Sequence, residues 1–326
     1  MLQSGGMIGS YRLKHIIGSG NSANVYLAQS IVSPFSEVAI KIRLRTQGQH
    51  ELILAQRFTE SARLHYMFSH PNIAWLHESI EDEKFQAVVI EYLPGGTLSD
   101  LLKSRQNLSI DEACLLGAHL ADGLEHMHDI QVIHRDIKPD NILFLESHKL
   151  ASVRVADFDV SKNPYTSPNI TEKGAHVGTL CYIAPEQFNQ EKSRASADVY
   201  SLGMVIFETI AGRLPYESVS MPAIFSRFLD DKPLPPLSAF QPNSSKALDC
   251  ILERAITTQV VERIPSAATL AILLLAISVE ARSQYPRLRE LRLQTRTPWL
   301  QRELSSAPFS VQQELLDSLR EIGLNL

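Results

Sequence analysis

The sequence predicts an α+β protein with two lobes, the first small and rich in strands and the second larger and helical. Residues 11–46 contain the short, β-branched runs typical of strands, and a glycine-containing turn separates the first two runs. Residues 50–68 contain no glycine or proline and carry apolar residues at helical spacing, which predicts an amphipathic helix in the first lobe. Beyond about residue 97 the pattern changes to long helices, which predicts the second lobe.

The remaining elements follow along the chain. Two more strands are predicted around residues 73–79 and 85–93, and the sequence PGG then breaks the chain. A short hairpin is predicted from residues 141–146 and 152–157. The helical patterns of the second lobe cover residues 97–105, 110–129, 195–212, 244–256 and 265–280.

The composition is that of an ordinary globular protein. Of the 326 residues, 44% are hydrophobic and 21% are charged, and the formal net charge is −5. This charge argues against nucleic acid or an anionic membrane surface as the main partner. Three widely spaced cysteines predict neither a disulfide framework nor a metal-ligand cluster, and they fit a reducing compartment.

Two further features predict a cytoplasmic protein without a membrane span. Residues 1–14 lack the apolar core of a signal peptide. The longest apolar run, residues 267–279, is too short to cross a bilayer and predicts a buried helix instead.

The strongest functional signal is the sequence HRDIKPDN at residues 134–141. On a loop between a helix and a strand, it combines an acidic residue (Asp136), a lysine two positions later (Lys138) and an amide five positions later (Asn141). These side chains suit a base, a phosphate partner and a metal ligand. With the other motifs below, the chain resembles the eukaryotic-like (Hanks-type) serine/threonine protein kinases, including bacterial ones, from about Tyr11 to about Glu280.

The resemblance implies the bilobed protein kinase fold and a division of the chain. Residues 1–10 are an N-terminal lead and 11–280 are the kinase domain. Within that domain the N-lobe covers 11–93 and the C-lobe 97–280. A helical extension follows at 281–326.

The resemblance also places a nucleotide site in the first lobe. The turn GSGNSANVY is similar to the family's glycine-rich loop, with Ala23 where a third glycine is common, although such a turn alone is weak evidence. Lys41 of VAIK would bind the α- and β-phosphates, and Glu60 on the following helix would pair with Lys41. The residues implied for ATP binding are Gly18, Ser19, Gly20, Asn21, Ala23, Val25, Ala39, Lys41, Ile90, Glu91, Leu93 and Leu143.

In the catalytic loop, the resemblance gives each residue a role. Asp136 is the expected base, which accepts the hydrogen bond of the substrate hydroxyl, and Lys138 neutralises charge on the transferring group. Asn141 and Asp157 would hold Mg²⁺, with Mn²⁺ as an alternative metal. His134 is expected to be a packed structural residue. The implied cofactors are therefore ATP and Mg²⁺.

Four residues further along the chain are expected to shape or support the site. Thr179 would lie near the substrate hydroxyl, and Glu186 would be a structural anchor. Arg263 is the expected buried partner of Glu186, since a buried carboxylate without a partner is costly. Asp198 would hold the backbone of the catalytic loop from below.

Arg135 precedes the expected base, which fits kinases whose activation segment is ordered by phosphorylation. The candidate phosphoacceptors are Thr166, Ser167 and Thr171. The alternative is that these three are solvated polar loop residues.

The stretch VADFDVSK, residues 155–162, departs from the family pattern, because Asp159 stands where a glycine is usual. Aspartate tolerates positive φ better than most residues. A second carboxylate about 8 Å from another negative charge costs about 2 kcal/mol at an effective dielectric of about 20. Lys41, Asp136 and Asp157 are retained.

The sequence therefore favours an enzyme that transfers the γ-phosphoryl group of Mg-ATP to serine or threonine of protein substrates, with autophosphorylation in the activation segment. The alternative is a nucleotide-binding pseudokinase scaffold that acts by binding a partner.

Residues 281–326 lie outside the resemblance. They contain an arginine-rich stretch and an amphipathic helix, for which Ser310 and Gln313 have capping-box spacing. The leucine stripe of this helix needs an apolar partner. Either the extension packs on the large lobe, or it binds a regulator or a second copy of the chain.

Overall fold

The structure is a computed structural model. It describes residues 4–20, 23–33, 36–46, 48–147, 149–157, 180–188, 194–216, 224, 226–228, 233–285, 287, 295 and 297–324.

The small lobe is an antiparallel sheet of six strands with one helix. The sheet order is β1-β2-β3-β4-β6-β5, and helix α1 (Gln49–His65) lies between β4 and β5 in the sequence. The strands are β1 (Met7–Ile8), β2 (Tyr11–Ser19), β3 (Asn24–Ser30), β4 (Glu37–Leu44), β5 (Leu76–Glu81) and β6 (Phe85–Glu91).

Strand β4 shows how the sheet places the residues of the site. Val38, Ile40 and Ile42 are buried in the core of the sheet. Because side chains alternate between the two faces of a strand, Ala39 and Lys41 lie on the opposite face. The direction of the Lys41 side chain is therefore fixed by the period of the strand.

The large lobe is mainly helical and contains the hairpin predicted from the sequence. Strands β7 and β8 pair in antiparallel fashion. Among the residues that the structure describes, its α-helices and strands are α2 (Leu98–Arg105), α3 (Ile110–Asp129), β7 (Ile142–Phe144), β8 (Val153–Val155), α4 (Pro185–Phe188), α5 (Ala195–Ala211), α6 (Lys246–Ala255) and α7 (Ala267–Ile277).

Helix α7 corresponds to the long apolar run of the sequence. Its side chains are buried along the whole helix apart from the last residue, and Ser266 caps it by accepting a hydrogen bond from the Thr269 backbone. The predicted buried helix is confirmed. Among the described residues, no helical segment combines the length and hydropathy that a membrane crossing requires.

In the described part of the extension the helices are α8 (Val279–Gln284), α9 (Thr297–Ser306) and α10 (Phe309–Glu321). Leu315 and Leu319 of α10 are buried in the same apolar core as α6 and α7. The leucine stripe thus packs on the large lobe.

The capping box expected at the start of α10 is wrong. Ser310 lies within the first turn, because the helix begins at Phe309 directly after Pro308. The Pro308 carbonyl accepts the backbone N–H bonds of Val311 and Gln312. The fixed φ of proline suits a residue at a helix entry, so the helix starts earlier than the serine indicates.

A buried carboxylate attaches the extension to the rest of the domain. Asp122 of α3 accepts a hydrogen bond of 2.8 Å from the Tyr285 hydroxyl, and Arg287 Nη1 and His70 Nε2 each lie 3.3 Å from its Oδ2. The Asn72 backbone donates to His70 Nδ1, so Nε2 is the ring nitrogen that faces Asp122 and Arg287. Burial opposes ionisation, but the hydrogen bond from His70 and the other donors hold the pKa of Asp122 below its usual value.

Candidate active site

Asp198, near the start of α5, organises the catalytic loop. Its side chain is fully buried. It accepts backbone hydrogen bonds from His134 (2.9 Å) and Arg135 (2.8 Å) and contacts His128 Nε2 at 2.8 Å. Burial by itself would raise the pKa of Asp198, but the hydrogen bond and charge of His128 hold it below the usual value. A buried carboxylate therefore fixes the loop from below.

The catalytic loop brings three polar side chains together. Lys138 Nζ lies 3.2 and 3.1 Å from the two carboxylate oxygens of Asp136. Asn141 Nδ2 donates to the Asp136 backbone carbonyl and to its Oδ2, both at 2.8 Å. The amide of Asn141 uses its nitrogen for both bonds, which turns its oxygen away from Asp136.

His134 links the catalytic loop to the residue before Asp157. Its Nε2 contacts the Ala156 carbonyl at 3.1 Å, and its Nδ1 accepts the Asp136 backbone N–H. These partners fit the neutral imidazole with the proton on Nε2. Burial lowers the pKa of His134, and the Ala156 N–H donates to the Asn141 carbonyl. His134 is thus placed as a packed structural residue.

Two non-glycine residues of the site adopt left-handed backbone conformations. Arg135 has φ 66° and Asp157 has φ 61°. Such conformations cost about 1 to 3 kcal/mol each and persist where surrounding contacts hold them. At Arg135 that contact is the hydrogen bond to Asp198.

Lys41 does not contact Glu60. Lys41 Nζ donates to Asp157 Oδ1, whereas Glu60 pairs with Arg63 at 3.1 and 3.2 Å. The Glu60 side chain is 53% exposed. The expected Lys41–Glu60 pair is therefore wrong for this structure, because Glu60 lies on the outer face of α1.

The glycine-rich turn is the hairpin between β2 and β3. Gly18 pairs with Val25 and Ser19 with Asn24 across the hairpin. The Gly20 N–H donates to the Ala23 carbonyl at 3.0 Å. The predicted arrangement of two strands on either side of a glycine-containing turn is therefore confirmed for the described residues.

The segment between the lobes follows β6. Ile90 pairs with Ala39 across the sheet, and Leu93 is buried. The Glu91 N–H donates to the Trp75 carbonyl at 2.8 Å.

The chain then passes close to β7. The Gly95 N–H donates to the Phe144 carbonyl, and Leu143 forms a bridge with Thr97. A Cβ at Gly95 would lie 2.6 Å from the Phe144 oxygen, so only glycine fits this approach.

Glu186 of α4 and Arg263, which lies between α6 and α7, form a buried ion pair. Arg263 Nη1 and Nη2 donate to the two Glu186 oxygens at 2.6 and 3.0 Å. The same guanidinium also donates to the backbone carbonyls of Ser196 and Thr257 and lies over the Tyr200 ring. Paired in this way, the buried charges compensate each other.

Several candidate residues lie outside the described part of the chain. They are Asn21, Asp159, Thr166, Ser167, Thr171 and Thr179.

One supporting residue had no clear signal in the sequence. His128 contacts Asp198 from the last turn of α3. A histidine at a helix end is more often solvated or simply favourable for the helix dipole. Only the packing of α3 against α5 shows its partner.

The donor set at Asn141 and Asp157 fits a magnesium ion. An amide oxygen and a carboxylate are hard ligands of the kind that Mg²⁺ prefers, and its other ligands usually come from phosphate and water. Lys41, which contacts Asp157, adds a cation beside the same position. The arrangement can bind a metal-bound phosphate on one side and a hydroxyl at Asp136 on the other.

Residues 11–271 match the protein kinase domain family. The chain therefore belongs to this family, and the resemblance inferred from the sequence is confirmed.

The chain is similar to bacterial members of the family. Serine/threonine-protein kinase PrkC of Bacillus subtilis is 31% identical over 247 residues, which cover 76% of this chain and 37% of the relative. Serine/threonine-protein kinase PknH of Mycobacterium tuberculosis is 29% identical over 268 residues, which cover 82% of this chain and 42% of the relative. The chain thus spans about two fifths of the length of these curated relatives.

Solved structures confirm the bilobed fold. The crystal structure of the Mycobacterium tuberculosis PknI kinase domain superposes with a TM-score of 0.64 at 23% identity. The match covers 84% of this chain and 98% of that domain.

Proposed function

We propose that the protein is a serine/threonine protein kinase that transfers the γ-phosphoryl group of Mg-ATP to hydroxyl groups of protein substrates. The observation that carries the proposal is the grouping of Asp136, Lys138 and Asn141 beside the Lys41–Asp157 pair. Membership of the protein kinase family supports the same conclusion.

Each side chain has a role that its contacts support. Asp136 would accept the hydrogen bond and then the proton of the substrate hydroxyl, whose oxygen attacks the γ-phosphorus while the bond to the β,γ-bridging oxygen breaks and ADP leaves. Lys138, next to Asp136, neutralises charge on the transferring group. Asn141 and Asp157 would hold the metal, and Lys41 would bind phosphate oxygens. Bound Mg-ATP supplies the phosphoryl group and the charge of the metal.

Asp136 acts mainly by position. Its carboxylate is held by Lys138 and Asn141 before any substrate arrives. In phosphoryl transfer through a loose transition state, orienting the nucleophile matters more than basicity. This pre-organisation favours catalysis over a purely scaffolding role.

The competing function is a nucleotide-binding pseudokinase that acts by holding a partner. Asp159 in place of glycine is the feature that favours it. The retained charged residues Lys41, Asp136 and Asp157 favour the active enzyme.

Two finer proposals accompany the activity. Autophosphorylation would occur in the activation segment, with Thr166, Ser167 and Thr171 as candidate acceptors. The extension at 281–326 would provide the surface for a regulator or a second copy, beyond the faces that it already buries on the large lobe.

The test is phosphate transfer by the purified chain and by a matched Asp136→Asn variant. Each protein is incubated with Mg²⁺ and γ-labelled ATP, with and without a generic serine- and threonine-rich protein, and phosphoamino acids and intact mass are measured. The expected result is phosphoserine or phosphothreonine with the unmodified chain and a loss of about 100-fold or more with Asp136→Asn.

Nucleotide binding is measured in parallel by the shift in unfolding temperature. ATP binding without label on the generic protein or on the chain itself would overturn the kinase proposal and favour the scaffold. Equal labelling by the Asp136→Asn variant would also overturn it, since the transfer would then not depend on this site.

A further inference from the structure

We propose that Lys41 is positioned without a carboxylate from helix α1. Ser61, not Glu60, lies on the side of this helix that faces Lys41 and the cleft between the two lobes, which is where a carboxylate partner for Lys41 would have to be. This inference rests on the proposed kinase function, because it concerns how Lys41 is positioned to bind the phosphates of ATP.

One face of helix α1 packs on the sheet, and its contacts identify the residues of that face. Glu51 binds Arg43 of β4 at 2.8 Å, and the Ala55 carbonyl accepts from Gln86 of β6 at 3.2 Å. Further along, Phe58 and Ala62 pack in one apolar cluster with Leu76 and Val88. These positions define the inward face of the helix.

Glu60 lies opposite this face. Each residue turns the helix by about 100°, so Glu60, nine residues after Glu51, points about 180° away from it. The exposure of the Glu60 side chain and its pairing with Arg63 agree with this direction.

The two residues next to Glu60 lie on the two flanks of the helix. Thr59 accepts a hydrogen bond of 3.0 Å from Gln86 Nε2, which places it on the flank toward that end of β6. Ser61 is therefore on the other flank. His65, four residues later and about 40° from Ser61 around the helix, is on that flank. It contacts the Ala74 carbonyl at 2.7 Å and packs against Phe68, which belongs to the core of the large lobe, so the flank of Ser61 faces the junction of the lobes.

Ser61 is nearly buried, with 9% of its surface exposed. Its hydroxyl has no hydrogen-bond partner among the residues that the structure describes. One turn further, burial lowers the pKa of His65 to about 4, and the positive charge of Lys41 acts in the same direction. The inner part of α1 thus approaches Lys41 with a serine and a neutral histidine.

A rotation that carried Glu60 to the cleft would disturb the packing of the helix. A turn of about 100° would be required. It would separate Glu51 from Arg43, whose side chain is almost completely buried, and would lift Ala55 and Ala62 from the sheet. Lys41 already has a carboxylate partner in Asp157.

The kinetic test compares Glu60→Gln and Ser61→Glu with the unmodified chain, with Arg63→Gln as the control for the exposed pair. The expected result for Glu60→Gln is a kcat and an ATP KM within about twofold of the unmodified chain. Ser61→Glu is expected to change the ATP KM by about threefold or more, because it places a carboxylate beside Lys41. A loss of more than about tenfold in kcat/KM for Glu60→Gln, with an unchanged unfolding temperature, would overturn the proposal.

A second readout needs no activity. Glu60→Cys and Ser61→Cys are made separately in a Cys250→Ser background, since Cys114 and Cys181 are buried. Maleimide labelling is followed by intact mass, with and without Mg²⁺ and a non-hydrolysable ATP analogue. Cys at 60 is expected to react at least about tenfold faster than Cys at 61 in both conditions.

Protection of the thiol at 60 on addition of the analogue would overturn the proposal, because it would show that α1 turns this position inward. If the chain transfers no phosphate at all, the proposed kinase function fails, whereas the labelling rates still report which residue of α1 faces the cleft. The two failures are therefore distinguishable.

Discussion

In the catalytic loop, Asp198 is fully buried and accepts backbone hydrogen bonds from His134 and Arg135. On helix α1, Glu60 exposes half of its side chain and pairs with Arg63. Both carboxylates were expected to support the active site. Asp198 is fixed by three hydrogen-bond partners in a buried site, whereas the exposed Glu60 is not fixed by the core. The two lobes therefore differ in how firmly they hold the carboxylate expected at the site. In the large lobe buried contacts hold the catalytic loop. In the small lobe Lys41 lies on strand β4 and contacts Asp157, and among the described residues no carboxylate of α1 pairs with it.

The largest effect is expected from Asp198→Ala. It leaves two buried backbone N–H groups and His128 without their acceptor, so we expect a loss of about 3 to 5 kcal/mol in the free energy of unfolding. Displacement of the loop should also lower phosphoryl transfer by about 100-fold or more. Urea unfolding and the transfer assay measure the two effects. Asp198→Asn is the matched control of similar shape, and it should retain more stability than the alanine variant. A stable, active Asp198→Ala protein would show that Asp198 does not hold the catalytic loop, and Asp198 would then not differ from Glu60.

The next effect is expected at the buried pair of Glu186 and Arg263. Arg263→Met leaves the Glu186 carboxylate buried without its cation, which should destabilise the protein by about 3 to 5 kcal/mol. The double variant Glu186→Gln with Arg263→Met should recover a large part of this loss, because no charge is then left unpaired. Unfolding in urea measures both. Equal stabilities of the single and double variants would show that the charge pairing does not matter.

A smaller effect is expected where the extension binds Asp122. Tyr285→Phe removes one hydrogen bond to a buried carboxylate, which should cost about 1 to 3 kcal/mol. Tyr66→Phe is the control, since Tyr66 is half exposed, and it should change stability by less than about 0.5 kcal/mol. If both substitutions gave the same small change, Asp122 would not be the anchor of the extension.

The smallest effect is expected from Glu60→Gln. Because Glu60 belongs to an exposed pair within one helix, the substitution should shift the unfolding temperature by less than about 2 °C. Arg63→Gln should give a similar small shift. A much larger decrease in the unfolding temperature for Glu60→Gln alone would indicate that Glu60 makes a buried contact. Glu60 would then support the structure in the same way as Asp198.

The sequence predicted the catalytic loop more securely than helix α1 for a physical reason. Asp136, Lys138 and Asn141 lie within six residues of one another, so their spacing alone brings them together. A residue on a helix is different, since an assignment that is wrong by one position turns the side chain by about 100°. Glu60 and Ser61 are adjacent in the sequence but lie on different faces, and the sequence offered no short-range constraint to choose between them.

The contacts between distant segments could not be predicted residue by residue. The sequence predicted that Arg263 would be the partner of Glu186, because a buried carboxylate needs a cation. The roles of His128 and of Tyr285 with Asp122 depend on how α3 packs against α5 and the extension, which no local pattern encodes. The start of α10 was missed for a local reason, since Pro308 competes with the serine signal at position 310.

The most direct test of this comparison is amide hydrogen exchange of the unmodified chain, followed by mass spectrometry with and without Mg²⁺ and a non-hydrolysable ATP analogue. We expect the amides of His134 and Arg135 to exchange slowly even without nucleotide, because Asp198 already holds them. We also expect exchange in α1 to change by less than about twofold when nucleotide binds. Rapid exchange in the free catalytic loop would show that Asp198 does not fix the loop. Exchange in α1 that slows by more than about tenfold with nucleotide would show that this helix is held against the site.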